Sequence, residues 1–140
     1  MAQNAHVDDG TIGHDCRLLR RIAAKPELTI VWDSNLARWR PSSAAFADSP
    51  DGSPMSVVLG SELEAAARQP ESVLAGHDGF ALAYITAGFV REQNQGVVRD
   101  PIPEEPAHGL VVGEKPKPVS RKMAKAAIWV VEPAIDPPAA

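Results

Sequence analysis

The stretch from Gly96 to Gly113, GVVRDPIPEEPAHGLVVG, constrains the fold more than any other part of the chain. It reads as a buried strand, Val97-Val98-Arg99, a rigid proline-spaced excursion ending at His108, and a second buried strand, Gly109-Leu110-Val111-Val112, closed by Gly113. Proline cannot donate to a central ladder, so Pro101, Pro103 and Pro106 must lie between the strands and outside the sheet. Two buried strands need further strands beside them and cover on their faces.

The rest of the chain supplies both. Leu28–Trp32 and Met55–Leu59 are β-branched runs, and Phe80–Ile85 is apolar enough for a buried strand. Asp15–Ile22 fits a short helix capped by Asp15 and fits a strand as well; Pro26 ends either one. Ser61-Glu62-Leu63-Glu64 has the pattern of a capping box and predicts a helix over Glu62–Gln69, stopped by Pro70. Gly76-His77-Asp78-Gly79 is a turn, and Thr86–Gln93 either prolongs the preceding strand or forms a short helix. A last helix is expected over Val119–Trp129, with Met123, Ala124, Ala127 and Ile128 on one face and Arg121, Lys122 and Lys125 on the other. Between Asp33 and Pro54 a long loop is expected, anchored by Trp39 and Phe46.

Strands and helices interleave without a regular βαβ period. The expected fold class is therefore α+β, a single small domain with a mixed or antiparallel sheet and two or three helices. A chain of 140 residues has room for one core. Residues 1–14 read as a flexible lead-in, residues 15–132 as the domain, and residues 133–140 as a proline-rich tail leaving it.

Composition narrows the function. A formal charge of -4 argues against broad nucleic-acid or acidic-membrane binding, which needs many lysines and arginines, although a local basic face stays open. Cys16 is the one cysteine, which rules out an intramolecular disulfide and a cysteine-rich zinc site; a buried thiol is its simplest reading. The first residues lack the basic and apolar regions of a signal peptide, and no run approaches the ~18 apolar residues of a membrane span, so the cytoplasm is the expected compartment.

Two places could carry chemistry. In Arg38-Trp39-Arg40-Pro41-Ser42-Ser43, two guanidiniums flank an indole, and a proline and two hydroxyls follow, a set able to grip a phosphate or carboxylate. The competing reading has Trp39 capping the core edge, the arginines in solvent, and Ser42 or Ser43 making a turn. His108 follows a loop with Asp100, Glu104 and Glu105, which suits acid/base or ligand work, or a ring that merely closes the loop on a backbone carbonyl. Cys16 with His108 is formally a nucleophile and base. No metal-binding spacing, P-loop, GxGxxG or GxSxG occurs. The basic face of the last helix is either simply solvated or a docking surface for an acidic partner.

Leu18-Leu19-Arg20-Arg21-Ile22, Arg40–Phe46, Met55-Ser56-Val57, and Asp100-Pro101, Pro103, Pro106-Ala107-His108 with Val112-Gly113 together resemble a group of small uncharacterised bacterial proteins of about this length. That resemblance covers most of residues 16–132 and implies no activity. An arginine near the start, an arginine-rich loop and a strand leading into a helix are similar to the early part of RES-type toxins, which act on NAD, but the glycine-rich segment ahead of their second motif is absent here.

Two functions from different classes follow. One is a small cytoplasmic binding or accessory protein whose Trp39 and His108 loops meet a protein partner. The other is an enzyme or ligand-binding domain for a phosphorylated or nucleotide compound, an anionic ligand held where Arg20 or Arg21, Arg40, Ser43 and His108 converge.

Overall fold

The computed structural model describes residues 7–138. Its central strand is β1, Arg17–Ala23, so the alternating pattern of Asp15–Ile22 resolves as strand and not helix. Period two sends Leu18, Arg20 and Ile22 to one face and Leu19 and Arg21 to the other, and both faces are covered. β1 lies between β4, Met55–Leu59, and β5, Phe80–Thr86, antiparallel to each. β6, Gly96–Arg99, and β7, His108–Val112, form the expected pair around the proline excursion, and β7 joins β4. The six-stranded sheet runs β6-β7-β4-β1-β5-β8, all its neighbours antiparallel, with β8, Ile128–Val131, at one edge.

The first face carries the larger core. Leu18, Ile22, Met55, Val57, Leu59, Ile85, Val97 and Val111 pack under Val90 of α2, Ala87–Glu92, and Met123 and Ala124 of α3, Lys117–Ala126. Phe46, fully buried, joins them from the loop before β4, a burial worth about 2 kcal/mol. On the second face Leu19, Val58, Leu82 and Ala107 meet Leu63 of α1, Gly60–Ala65, and Val73 of a 3-10 segment, Pro70–Leu74. The result is α+β, with three short helices on an antiparallel sheet. Among the described residues no helix is long and apolar enough to cross a membrane.

Five expectations change. Residues 38–41 form a strand, β3, Arg38–Pro41, which pairs with β2, Ile30–Asp33, in a separate hairpin. The Asp33 carboxylate accepts from the amides of Asn35 and Leu36 and so builds the reversal that a reading of loop composition does not show. The helix at Ser61 starts at Gly60 with no side-chain cap, because β4 runs straight into it and Ser61 lies inside its first turn. The last helix stops at Ala126, and Ile128 and Trp129 belong to β8, where β-branched Ile128, Val130 and Val131 suit the sheet edge. Residues 7–14 are not a loose lead: Ile12 is buried, Asp9 donates its amide to Val97, and Asp8 and Asp9 pair with Arg91 and Arg99. The tail does not leave either, since Pro133 is buried and the Ile135 carbonyl accepts from the Trp39 indole at 3.1 Å. Residues 1–6 of the lead and 139–140 of the tail lie outside the described residues.

Candidate functional site

The hairpin β2–β3 is tied to the body of the protein by its tryptophans. Trp39 on β3 is 6% exposed; its ring meets Trp32 edge-on at 5.3 Å, and its carbonyl accepts from the Trp129 indole of β8 at 3.0 Å. Ser42 extends the pairing of the hairpin itself, its hydroxyl donating to the Leu28 carbonyl at 2.6 Å and its amide to the Thr29 carbonyl. The tryptophan bonds hold the hairpin beside the end of α3 and the start of β8 and leave a groove of about 850 Å³ between them.

Chemically the groove is two-sided. Ala124, Ala127, Trp129 and Trp39 line it with apolar surface, and Leu36 and Ile128, 65% and 54% exposed, stand at its mouth. Arg38, Arg40, Arg121 and Lys125 ring it, against a single lining carboxylate, Asp33. Asp33 lies 3.7 Å from the Arg40 guanidinium, and Glu132 lies 3.4 Å from that of Arg38. Arg121 and Lys125 have no carboxylate partner among the described residues. Their four-residue spacing puts them on one exposed stripe of α3, beside the hairpin.

His108 lies elsewhere. It begins β7 opposite Val58, on the second face of the sheet, and its Nδ1 bonds the Asp100 carbonyl at 2.9 Å with the Asp100 carboxylate at 3.1 Å. It lines a hollow of about 200 Å³ with Arg21, Ser56, His77 and Phe80. The arginines of β1 part company in the same way. Arg20 points into the larger core, where its guanidinium donates to the carbonyls of Ala45, Ser56 and Ala47, and burial lowers its pKa. Arg21 faces the His108 hollow, whose lining Arg20 also reaches although its guanidinium is turned to the core. A single site made of Arg20 or Arg21, Arg40, Ser43 and His108 is therefore not formed: Arg40 and Ser43 line the groove, and His108 with Arg21 lines the hollow.

No family model, curated protein or solved structure matches the chain. The chemistry of the two cavities has to carry the functional argument.

The six residues singled out in sequence therefore divide. Arg38, Arg40 and Ser43 face the groove with free or weakly held polar groups. Trp39 and Ser42 are the joints that build it. His108 is absent from its lining. Cys16 does not meet His108; its thiol lies with the larger core, 3.3 Å from the Ser61 hydroxyl. Sequence reasoning passed over Leu36 and Ile128, the first taken for loop and the second for helix. Arg121 and Lys125 were visible as a basic helix face, but the element opposite them was not.

Proposed function

We propose that the chain is a protein-binding module whose groove receives an extended, acidic segment of a partner protein. The observation that supports this most is the reversal of charge. A chain with a net charge of -4 gathers Arg38, Arg40, Arg121 and Lys125 around one apolar groove with only Asp33 among them. Opposite charge at a rim steers encounter and selects partners, and apolar anchors supply the affinity. Leu36 and Ile128, exposed at the mouth, are suited to a partner's aliphatic side chains.

The form of the segment follows from the neighbouring backbone. Among the described residues β8 pairs only with β5, so its outer edge there offers unpaired amides and carbonyls next to Ile128 and Trp129. An added strand would pair there and set alternate side chains toward the groove. A nucleic acid fits less well: the molecule's overall field repels phosphates, and the Trp39 ring is buried and unavailable for stacking.

The test uses a labelled synthetic peptide of alternating glutamate and leucine, its lysine-leucine counterpart, and a single-stranded oligonucleotide, followed by fluorescence anisotropy. The acidic peptide should bind, more weakly at higher salt, and an Arg121→Glu/Lys125→Glu variant should lose at least about tenfold in affinity, or about 1.4 kcal/mol. Equal binding by the variant, or preference for the basic peptide or the oligonucleotide, would overturn the reading.

A further inference from the structure

The hollow on the second face of the sheet is separate from the groove, and its polar groups are those of an oxyanion site. Arg21 is half-buried on the central strand, where an apolar residue would ordinarily sit. One of its N–H groups donates to the Val73 carbonyl at 2.9 Å; the others have no protein partner among the described residues. The acidic group near enough to influence it is Glu105, and that carboxylate is already engaged. Both its oxygens accept from Arg68, at 2.6 and 2.9 Å, and one also accepts from the Ala107 amide. Arg21 is thus a half-buried cation with no carboxylate of its own, an arrangement that an anion would relieve.

The neighbours add hydrogen-bonding groups from other directions. Because Nδ1 of His108 is held by the Asp100 carbonyl, an acceptor, that nitrogen carries the proton, and Nε2 is the ring atom without a protein partner. His77 is held beside the hollow by a tight turn, Gly76 and Gly79 both at positive φ, with its ring edge-on to Phe80 at 5.4 Å. The Ser56 hydroxyl, on β4, has no protein partner among the described residues, while its carbonyl is held by Arg20. Leu19 and Val58 supply the apolar floor.

We infer that Arg21, Ser56, His77 and His108 form a binding site for a small phosphate, free or as the phosphoryl group of a small phosphomonoester. The guanidinium fork and the Ser56 hydroxyl donate to phosphate oxygens, Nε2 of His108 accepts from the P–OH of a monoanion, and His77 stands beside them, so the four groups approach from three strands and a turn. A volume near 200 Å³ admits such a group and not a dinucleotide, since pockets for drug-sized ligands start at about 300 Å³.

The test is a heteronuclear NMR titration of the whole protein with inorganic phosphate at constant ionic strength, repeated with glycerol phosphate and with chloride. Saturable shifts are expected in the amides of Leu19–Arg21, Ser56–Val58 and His108 and in both imidazoles. Arg21→Gln should weaken binding at least tenfold. His77→Gln, at a turn where the ring packs edge-on to Phe80, provides a variant outside the sheet that should keep the fold and weaken binding several-fold. Arg40→Gln, in the groove, should leave phosphate affinity unchanged and weaken only the acidic peptide, so the two sites fail or succeed separately. Tighter binding of glycerol phosphate than of inorganic phosphate would identify the ester as the natural form; the reverse order would identify the free ion. Chloride matching phosphate, shifts confined to α3 and the hairpin, or undiminished affinity in both hollow variants would overturn the site.

Discussion

Trp39 shows how a side chain with the composition of a binding residue can be a structural one. Its ring is buried and its indole N–H is satisfied by the tail, so truncation removes packing and that hydrogen bond together, while the main-chain carbonyl that accepts from Trp129 stays. Trp39→Ala should cost about 3 kcal/mol in urea unfolding, and any loss of partner binding it causes would report the hairpin and not a contact. Glu105 makes the corresponding case for charge. The two bonds from Arg68, joined by the Ala107 amide, hold its carboxyl below the usual carboxylate range. A depressed value in the folded state means stabilisation that is fully present above the unfolded carboxylate value of about 4.3 and is lost as pH falls through the folded value. Glu105→Gln should therefore be less stable than the parent by about 3 kcal/mol near pH 7. The gap should narrow on acidification, because a protonated glutamate and a glutamine offer Arg68 similar partners. A gap independent of pH would mean that the charge is not what Arg68 recognises.

At the level of elements, α1 ends in a way its sequence does not advertise. The Arg68 amide bonds the Leu63 carbonyl and the Ala67 amide that of Glu64, the closing pattern that favours glycine at the position Ala67 occupies, here with φ of 54°. Ala67→Gly should stabilise the protein by about 0.5–1 kcal/mol in thermal or urea unfolding, the relief of left-handed strain exceeding the added freedom of the unfolded chain. The same locality explains what could be read in advance. β4, β5, β6 and β7 were legible because each is an apolar run bounded by turn residues, and Val97–Arg99 and Gly109–Val112 pair as the prolines between them require. β3 was not, although its partner read as a strand, because its outward residues are Arg38 and Arg40, and the four residues Arg38-Trp39-Arg40-Pro41 carry no β-branched run. β8 was not, because no glycine or proline separates Ala126 from Ile128 and the helical pattern of apolar residues runs on through Ile128. The groove lies between those two missed strands, so its charged residues were visible one by one and their meeting was not.

For the molecule as a whole, the described segments near both ends, 7–13 and 133–138, act as straps. A chain beginning at His14 gives up the buried Ile12 and the carboxylates that meet Arg91 and Arg99, and should lose about 3 kcal/mol of stability. A chain ending at Glu132 leaves the Trp39 indole N–H without its acceptor, at a cost of about 1–3 kcal/mol. Hydrogen exchange should distinguish them, the first loosening β6 and α2, the second loosening the hairpin and widening the groove. The place of β1 has a different kind of consequence. It precedes the other strands of its sheet in the chain and lies in the middle of that sheet, between partners that end at Leu59 and Thr86. On the ribosome Leu18, Leu19 and Ile22 must wait, exposed, until the strands ending at Leu59 and Thr86 have followed. Such distant pairing closes slowly, so the new chain passes through an interval in which the apolar residues of its central strand are open to chaperones and to other unfinished copies of itself.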